Sequence, residues 1–194
     1  MAGPSDGDHS RILNHVLVPP AGEFQLDPVH TFVSFTVQHL VAGRVRARFE
    51  TVQETVTVAE DISASTLEVS IDTASLTTLN PIRDADLRSE HFLDVEHYPT
   101  MTYRSTTVSA LPDAAGLVPG ELTLHGVTRP VELTVRFGGS LIDPSGNIRV
   151  AFRAHGTIAR RDFGLTYEIV KEAGALLVGK DVTIDIDAEA IRPQ

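Results

Sequence analysis

From Ile148 to Ile158 the chain alternates: Ile148, Val150, Phe152, Ala154, Gly156 and Ile158 are interleaved with Arg149, Arg153 and His155. A period of two puts one set on each face of an extended backbone, whereas a helix repeats every 3.6 residues, so the stretch is a half-buried strand. The same signature recurs along the chain. Val33, Phe35, Val37 and Val41 oppose Ser34, Thr36 and Gln38, and after a corner at Gly43, Val45, Ala47 and Phe49 oppose Arg44, Arg46 and Arg48. The apolar parity changes between Phe49 and Val52, which predicts a bulge near Thr51 that re-aims the strand. Leu67, Val69 and Ile71 form a third run. Leu122 and Leu124 follow a Pro/Asp/Ala/Gly-rich loop over 112–120, and His125-Gly126 turns the chain into Val131, Leu133, Val135 and Phe137. Val182, Ile184, Ile186 and Ala188 alternate with Thr183, Asp185, Asp187 and Glu189 in a last strand. About eight antiparallel strands result.

One long stretch, Asn80 to Tyr103, breaks the pattern. Asn80-Pro81 supplies a helix N-cap and then the residue best tolerated at the first helical position, and Asp84 precedes Arg88 by four in the favourable order. A short helix is expected, with Ser89 and Glu90 opening a further turn that carries Phe92 and Leu93. Pro99 keeps Tyr98 extended and launches the strand from Thr100. The segment from Asn80 to Glu96 is thus a helical plug joining two strands.

Composition narrows the function classes. The apolar content of 42% supports a core, but aromatics are 6% with no Trp, so the core is built from Val, Leu and Ile with a few Phe. Twenty-six acidic against sixteen basic residues give a net charge of −10, with no basic cluster to track a phosphate backbone, so nucleic acid is not an expected partner. Without cysteine there is no disulfide, no Cys-ligated metal and no thiol nucleophile. No window reaches the ~18 apolar residues of a membrane helix. The first residues carry Asp6, Asp8 and His9 before a short interrupted apolar run, unlike an export signal, so a cytoplasmic protein is expected. Residues 1–22 read as a flexible N-terminal tail ending at Pro19-Pro20, and 23–194 as one domain.

Strands with one apolar and one charged face close into either a sandwich or a barrel. Several runs exceed the usual five or six residues, as tilted barrel strands require, and the sequential links suit a meander. The expected fold is all-β: an extended up-and-down antiparallel eight-stranded barrel with a short helical insertion. A barrel of this size either fills its lumen or keeps room for one slender ligand.

His30, His39, His91, His97, His125 and His155 lack the spacing of a metal-binding set. His39 shares the parity of Val37 and so points toward the bore. Asp84 with Arg83 and Arg88 reads as a helix-end network before it reads as catalysis. No nucleophile elbow or phosphate loop is present.

Five motifs occur in order: Asp27-Pro28-Val29-His30; Phe35-Thr36-Val37-Gln38-His39-Leu40; Arg83-Asp84 to Leu87-Arg88-Ser89; Phe92-Leu93-Asp94 with Tyr98-Pro99; and Leu122 to Pro130. With Arg160-Arg161-Asp162-Phe163-Gly164, they make the chain, over roughly 24–191, resemble the YceI family of bacterial polyisoprenoid-binding proteins. The resemblance implies a lipocalin-like barrel whose bore holds an isoprenoid chain or another amphiphile, often in a homodimer, with no cofactor other than the bound lipid. Combined with the alternation, it places Val33, Phe35, Val37, His39, Phe49, Val69, Ile71, Phe92, Leu122, Leu124, Val135, Phe137, Phe152, Ile158 and Phe163 against the ligand. A carrier of a hydrophobic small molecule needs only such a bore, whereas an enzyme in the same cavity needs convergent titratable groups that the sequence does not show. A packed structural barrel is the third reading.

Overall fold

A computed structural model describes residues 9–40, 42–111, 113–167 and 178–193. Val41, Pro112 and residues 1–8 of the expected tail lie outside the described residues. The rest of that tail is a correction. β1 (Arg11–Leu13) and β2 (Val16–Val18) pair as a hairpin, Leu13 opposite Val16, across Asn14 and His15 at φ 50° and 67°. Both turn residues are left-handed, the geometry that matches strand twist in a two-residue loop. Val18 is 3% exposed and the Arg11 guanidinium donates to the Ala59 carbonyl, so the fold begins well before Pro19-Pro20.

Among the described residues, twelve further strands form one sheet in β3 (Gly22–Leu26), β4 (Phe32–His39), β5 (Gly43–Phe49), β6 (Val52–Val58), β7 (Thr66–Asp72), β8 (Leu76–Thr77), β9 (Thr100–Ser105), β10 (Ser109–Leu111), β11 (Ala115–Leu124), β12 (Val127–Ile142), β13 (Ile148–Ala159) and β14 (Val178–Arg192). Register shows how they make eight staves. β14 pairs Ala190 with Leu26 and Ile186 with Val33, so β3 and β4 are one stave interrupted at Asp27. β5 and β6 likewise continue one another, facing β4 and β3 in turn, with Glu50 and Thr51 between them. The parity change read near Thr51 is this interruption. β7 with β8 and β9 with β10 complete the pattern, and pairing of β13 with β14 closes an antiparallel eight-strand barrel. The loop expected over 112–120 is strand from Ala115 onward.

The break in alternation is α1 (Pro81–Arg88), and the Asn80 side chain accepts from the Arg83 amide at 3.1 Å. Asp84 is buried and tethers the helix to β8, accepting from the Thr78 amide at 2.8 Å and from the Thr77 and Thr78 hydroxyls. Burial pushes its carboxyl up, but the Thr78 and Thr77 donors outweigh that and hold it below the usual carboxylate range. The interior divides in two. One cluster, including Phe49, Leu76, Leu124, Ile158 and Phe163, is packed against Leu87 and Leu93 of the plug segment. The other, around Phe24, Val58, Phe137 and Val150, lies under the β1–β2 hairpin and is joined by Leu17.

Candidate functional site

Members of both clusters line a cavity of about 210 Å³ inside the barrel. Its walls are Val52 and Val56 of β6, Leu67, Val69 and Ile71 of β7, Leu133, Val135 and Phe137 of β12, and Ile184 and Ile186 of β14. Leu17, Val18 and Pro19 from the hairpin border it at one end, with Ile62 and Ser65 from a 3₁₀ turn and Ala110, Ala114 and Gly116 from β10–β11. Such a wall has few groups to hold water, and an apolar cavity larger than the ~150 Å³ that admits benzene favours an apolar guest.

The one titratable side chain on the described wall has its polar atom engaged. Tyr103, 7% exposed, turns its hydroxyl to the backbone and donates to the carbonyls of Val118 at 2.5 Å and Val131 at 3.3 Å. Burial pushes this hydroxyl far above its ordinary value, so it stays neutral. Its ring lies over Gly120, where a Cβ would stand 2.5 Å from the ring carbon, so only glycine admits it. Glu54, which shares the parity of Val52 and Val56, bends away to accept from the Leu26 amide where β3 leaves the ladder, and burial raises its carboxyl.

Eight of the residues expected against the ligand do line the cavity: Val33, Phe35, Val69, Ile71, Leu122, Val135, Phe137 and Phe152. Phe49, Leu124, Ile158 and Phe163 share the inward parity or the motif but are packed at the plug end and line no part of it. Val37 and His39 belong to the far end of β4, where His39 pairs with Gly43 and Val178 and does not reach the cavity. Phe92 packs edge-on to the Tyr167 ring, centroids 5.3 Å apart, outside the bore. Met101 and Tyr103, which alternate after Pro99, and the hairpin residues were not among the expected lining.

On comparison with known families, residues 24–190 match the YceI-like domain. The chain belongs to the YceI family. Protein YceI of Salmonella newport (strain SL254) is 38% identical over 152 residues, covering 77% of this chain and 79% of that one. Burkholderia cenocepacia BcnA shares the fold with a TM-score of 0.73 at 17% identity, over 84% of this chain and 98% of that one. A polyisoprenoid binding domain from Saccharophagus degradans does so with a TM-score of 0.62 at 19% identity, over 88% and 98%.

In this YceI chain the quoted motifs build the frame around the cavity. Arg160, 3% exposed, donates from Nε to the Gly179 carbonyl at 2.9 Å and from its guanidinium to the Leu165 carbonyl, so it ties the segment after β13 to β14. Gly164 follows at φ 76°, a left-handed position that suits glycine. His125 and Gly126, both left-handed, make the tight β11–β12 turn, and the His125 ring lies 4.4 Å from that of Tyr98. Asp27, 9% exposed, accepts from Arg149 at 2.5 Å, from His30 at 2.8 Å and from the Val29 amide at 3.0 Å. The Arg149 hydrogen bond above all, and then that of His30, holds its carboxyl far below the usual range. Asp27, His30 and Glu189 stand close enough to share a cation, but Arg149 also donates to Glu189 at 2.8 Å and already supplies the positive charge.

Proposed function

We propose that this YceI-family chain binds and carries, or stores, an amphiphile whose apolar chain lies in the barrel cavity, with a polyisoprenoid-type lipid as the ligand class. The observation that carries the reading is an apolar cavity inside the barrel whose one titratable wall residue among those described, Tyr103, has its hydroxyl turned onto backbone carbonyls. Burial of apolar chain supplies about 0.8 kcal/mol per methylene, a driving force that needs no directed polar contact. The solved relative from Saccharophagus degradans, described as polyisoprenoid binding, supports the isoprenoid side of the proposal. A carrier fits better than an enzyme because acid–base work needs titratable groups converging on the ligand, and among the described wall residues Tyr103 alone titrates, with its hydroxyl held by backbone carbonyls. A homodimer belongs to the same reading on the strength of the family resemblance, and sedimentation equilibrium tests it.

The test is displacement of a fluorescent fatty probe by prenyl alcohols, in parallel with melting curves. Displacement with a raised melting temperature is expected, and Val69→Asp, which sets an unpaired charge in the wall, weakens both in protein that still melts cooperatively. Prenyl alcohols that neither displace the probe nor shift the melt overturn the reading.

A further inference from the structure

We infer that the aromatic pair Phe35 and Phe49 is a stop that sets how much of the chain the cavity accepts, so that the protein discriminates among ligands by length. The inference rests on the binding reading above and adds to it a specificity-determining element. Phe35 is the deepest residue of β4 on the cavity wall, since Val33 and Phe35 line it and Val37 does not. Phe49 of β5, opposite Val33, packs edge to face against Phe35, with centroids 5.0 Å apart at an interplanar angle of 88°, and lines no part of the cavity. Beyond the pair, Leu76, Leu124, Phe163 and Leu165 are all at most 9% exposed and packed in the same cluster, which the plug segment closes with Leu87 and Leu93. The barrel interior is therefore a blind tube. Its empty part begins at the hairpin and ends at Phe35.

The size of that empty part sets a scale. A cavity of ~150 Å³ admits benzene, with its six carbons, so about 210 Å³ admits roughly eight carbons in the same packing, between one and two isoprene units. A chain entering tail first gains from each carbon until its end meets Phe35. Further carbons must stay outside or push into side chains already packed at the density of an organic crystal, and that packing does not yield without strain. Affinity is then expected to climb with length and level off at the stop.

The experiment measures the dissociation constants of the full chain for prenyl alcohols of one, two, three and four isoprene units by displacement of a fluorescent fatty probe. In the wild type, affinity is expected to rise more than tenfold from one unit to two and to change less than threefold from two to four. Phe35→Ala and Phe49→Ala, which each take a whole six-carbon ring out of the stop, move the levelling point to about three units on the same scale. Met101→Phe, which adds bulk where a cavity-lining residue joins the packed cluster, weakens the two-unit alcohol relative to the one-unit alcohol; a general loss of stability would not shift the preference in opposite directions. The stop is overturned if wild-type affinity keeps climbing through four units, or if cooperatively melting Phe35→Ala and Phe49→Ala proteins level off where the wild type does. Absence of binding by every alcohol overturns the binding reading itself, and the stop with it.

Discussion

Replacing Arg149 with methionine keeps the aliphatic stem and deletes the charge that faces Asp27 at 2.5 Å, Glu189 at 2.8 Å and Asp143 at 3.7 Å. Asp27 is then a nearly buried carboxylate whose remaining donors are the Val29 amide and His30. Removing one partner of a buried pair costs about 3–5 kcal/mol, and the two surviving donors place this case near the low end, about 3 kcal/mol. At ~2–4 °C per kcal/mol for a chain of this size, the melting temperature should fall by about 6–12 °C at neutral pH. The difference should also depend on pH. Because Asp27 titrates below its ordinary value in the folded protein, its contribution is fully present above pH ~4 and is lost as the pH falls toward the folded value. The gap between wild type and variant should therefore narrow below pH ~4, by at most about 1.4 kcal/mol per pH unit. Calorimetry at pH 7 and pH 3 reads both effects. A melting difference under 3 °C, or one that does not change with pH, would refute the view that Arg149 and Asp27 hold the β3–β4 break onto the barrel wall. Ligand affinity at neutral pH, well below the melting temperature, should not change, because Arg149 lies outside the cavity.

Other consequences can be checked in the same protein. Asn80→Ala removes the side-chain acceptor of the Arg83 amide and should lower stability by about 1 kcal/mol in a denaturant melt; no change would mean that the cap contributes nothing to the plug. Phe152→Asp should abolish probe binding, whereas Arg153→Ser, at a side chain 81% exposed, should leave both binding and the melt within error; equal effects from the two would contradict the assigned faces. Deleting residues 1–20 removes Leu17, Val18 and Pro19 from the cavity border and should raise the probe dissociation rate in stopped flow by tenfold or more; an unchanged rate would show that the hairpin does not cover the ligand.

Much of the frame could be read from the sequence because alternation reports faces directly. The strand Ile148–Ala159 and the capped helix after Asn80 fall where the pattern and the Asn-Pro pair put them. What parity does not report is depth along the barrel axis. Phe35 and Phe49 both point inward, yet one lines the cavity and the other is packed against it, because the plug segment closes that end. Short elements also escaped. The β1–β2 strands have three residues each, too few for a period to register, although Asn14 at a left-handed turn position was a signal in hindsight. Pro119 made the stretch before Gly120 resemble a loop, whereas it sits within β11 opposite Glu132. Arg149 alternates outward and so reads as solvent-facing; it is instead partly buried against Asp27, 122 residues away in sequence, a contact that no local pattern contains.

The central claim, an apolar chain held in the barrel cavity, is tested most directly by native mass spectrometry of the protein purified from its own host, before and after extraction with organic solvent. A discrete bound mass that the extraction releases as an isoprenoid-type or other apolar-chain amphiphile is the predicted result. The bare polypeptide mass both times, with an organic phase free of apolar compound, would contradict it.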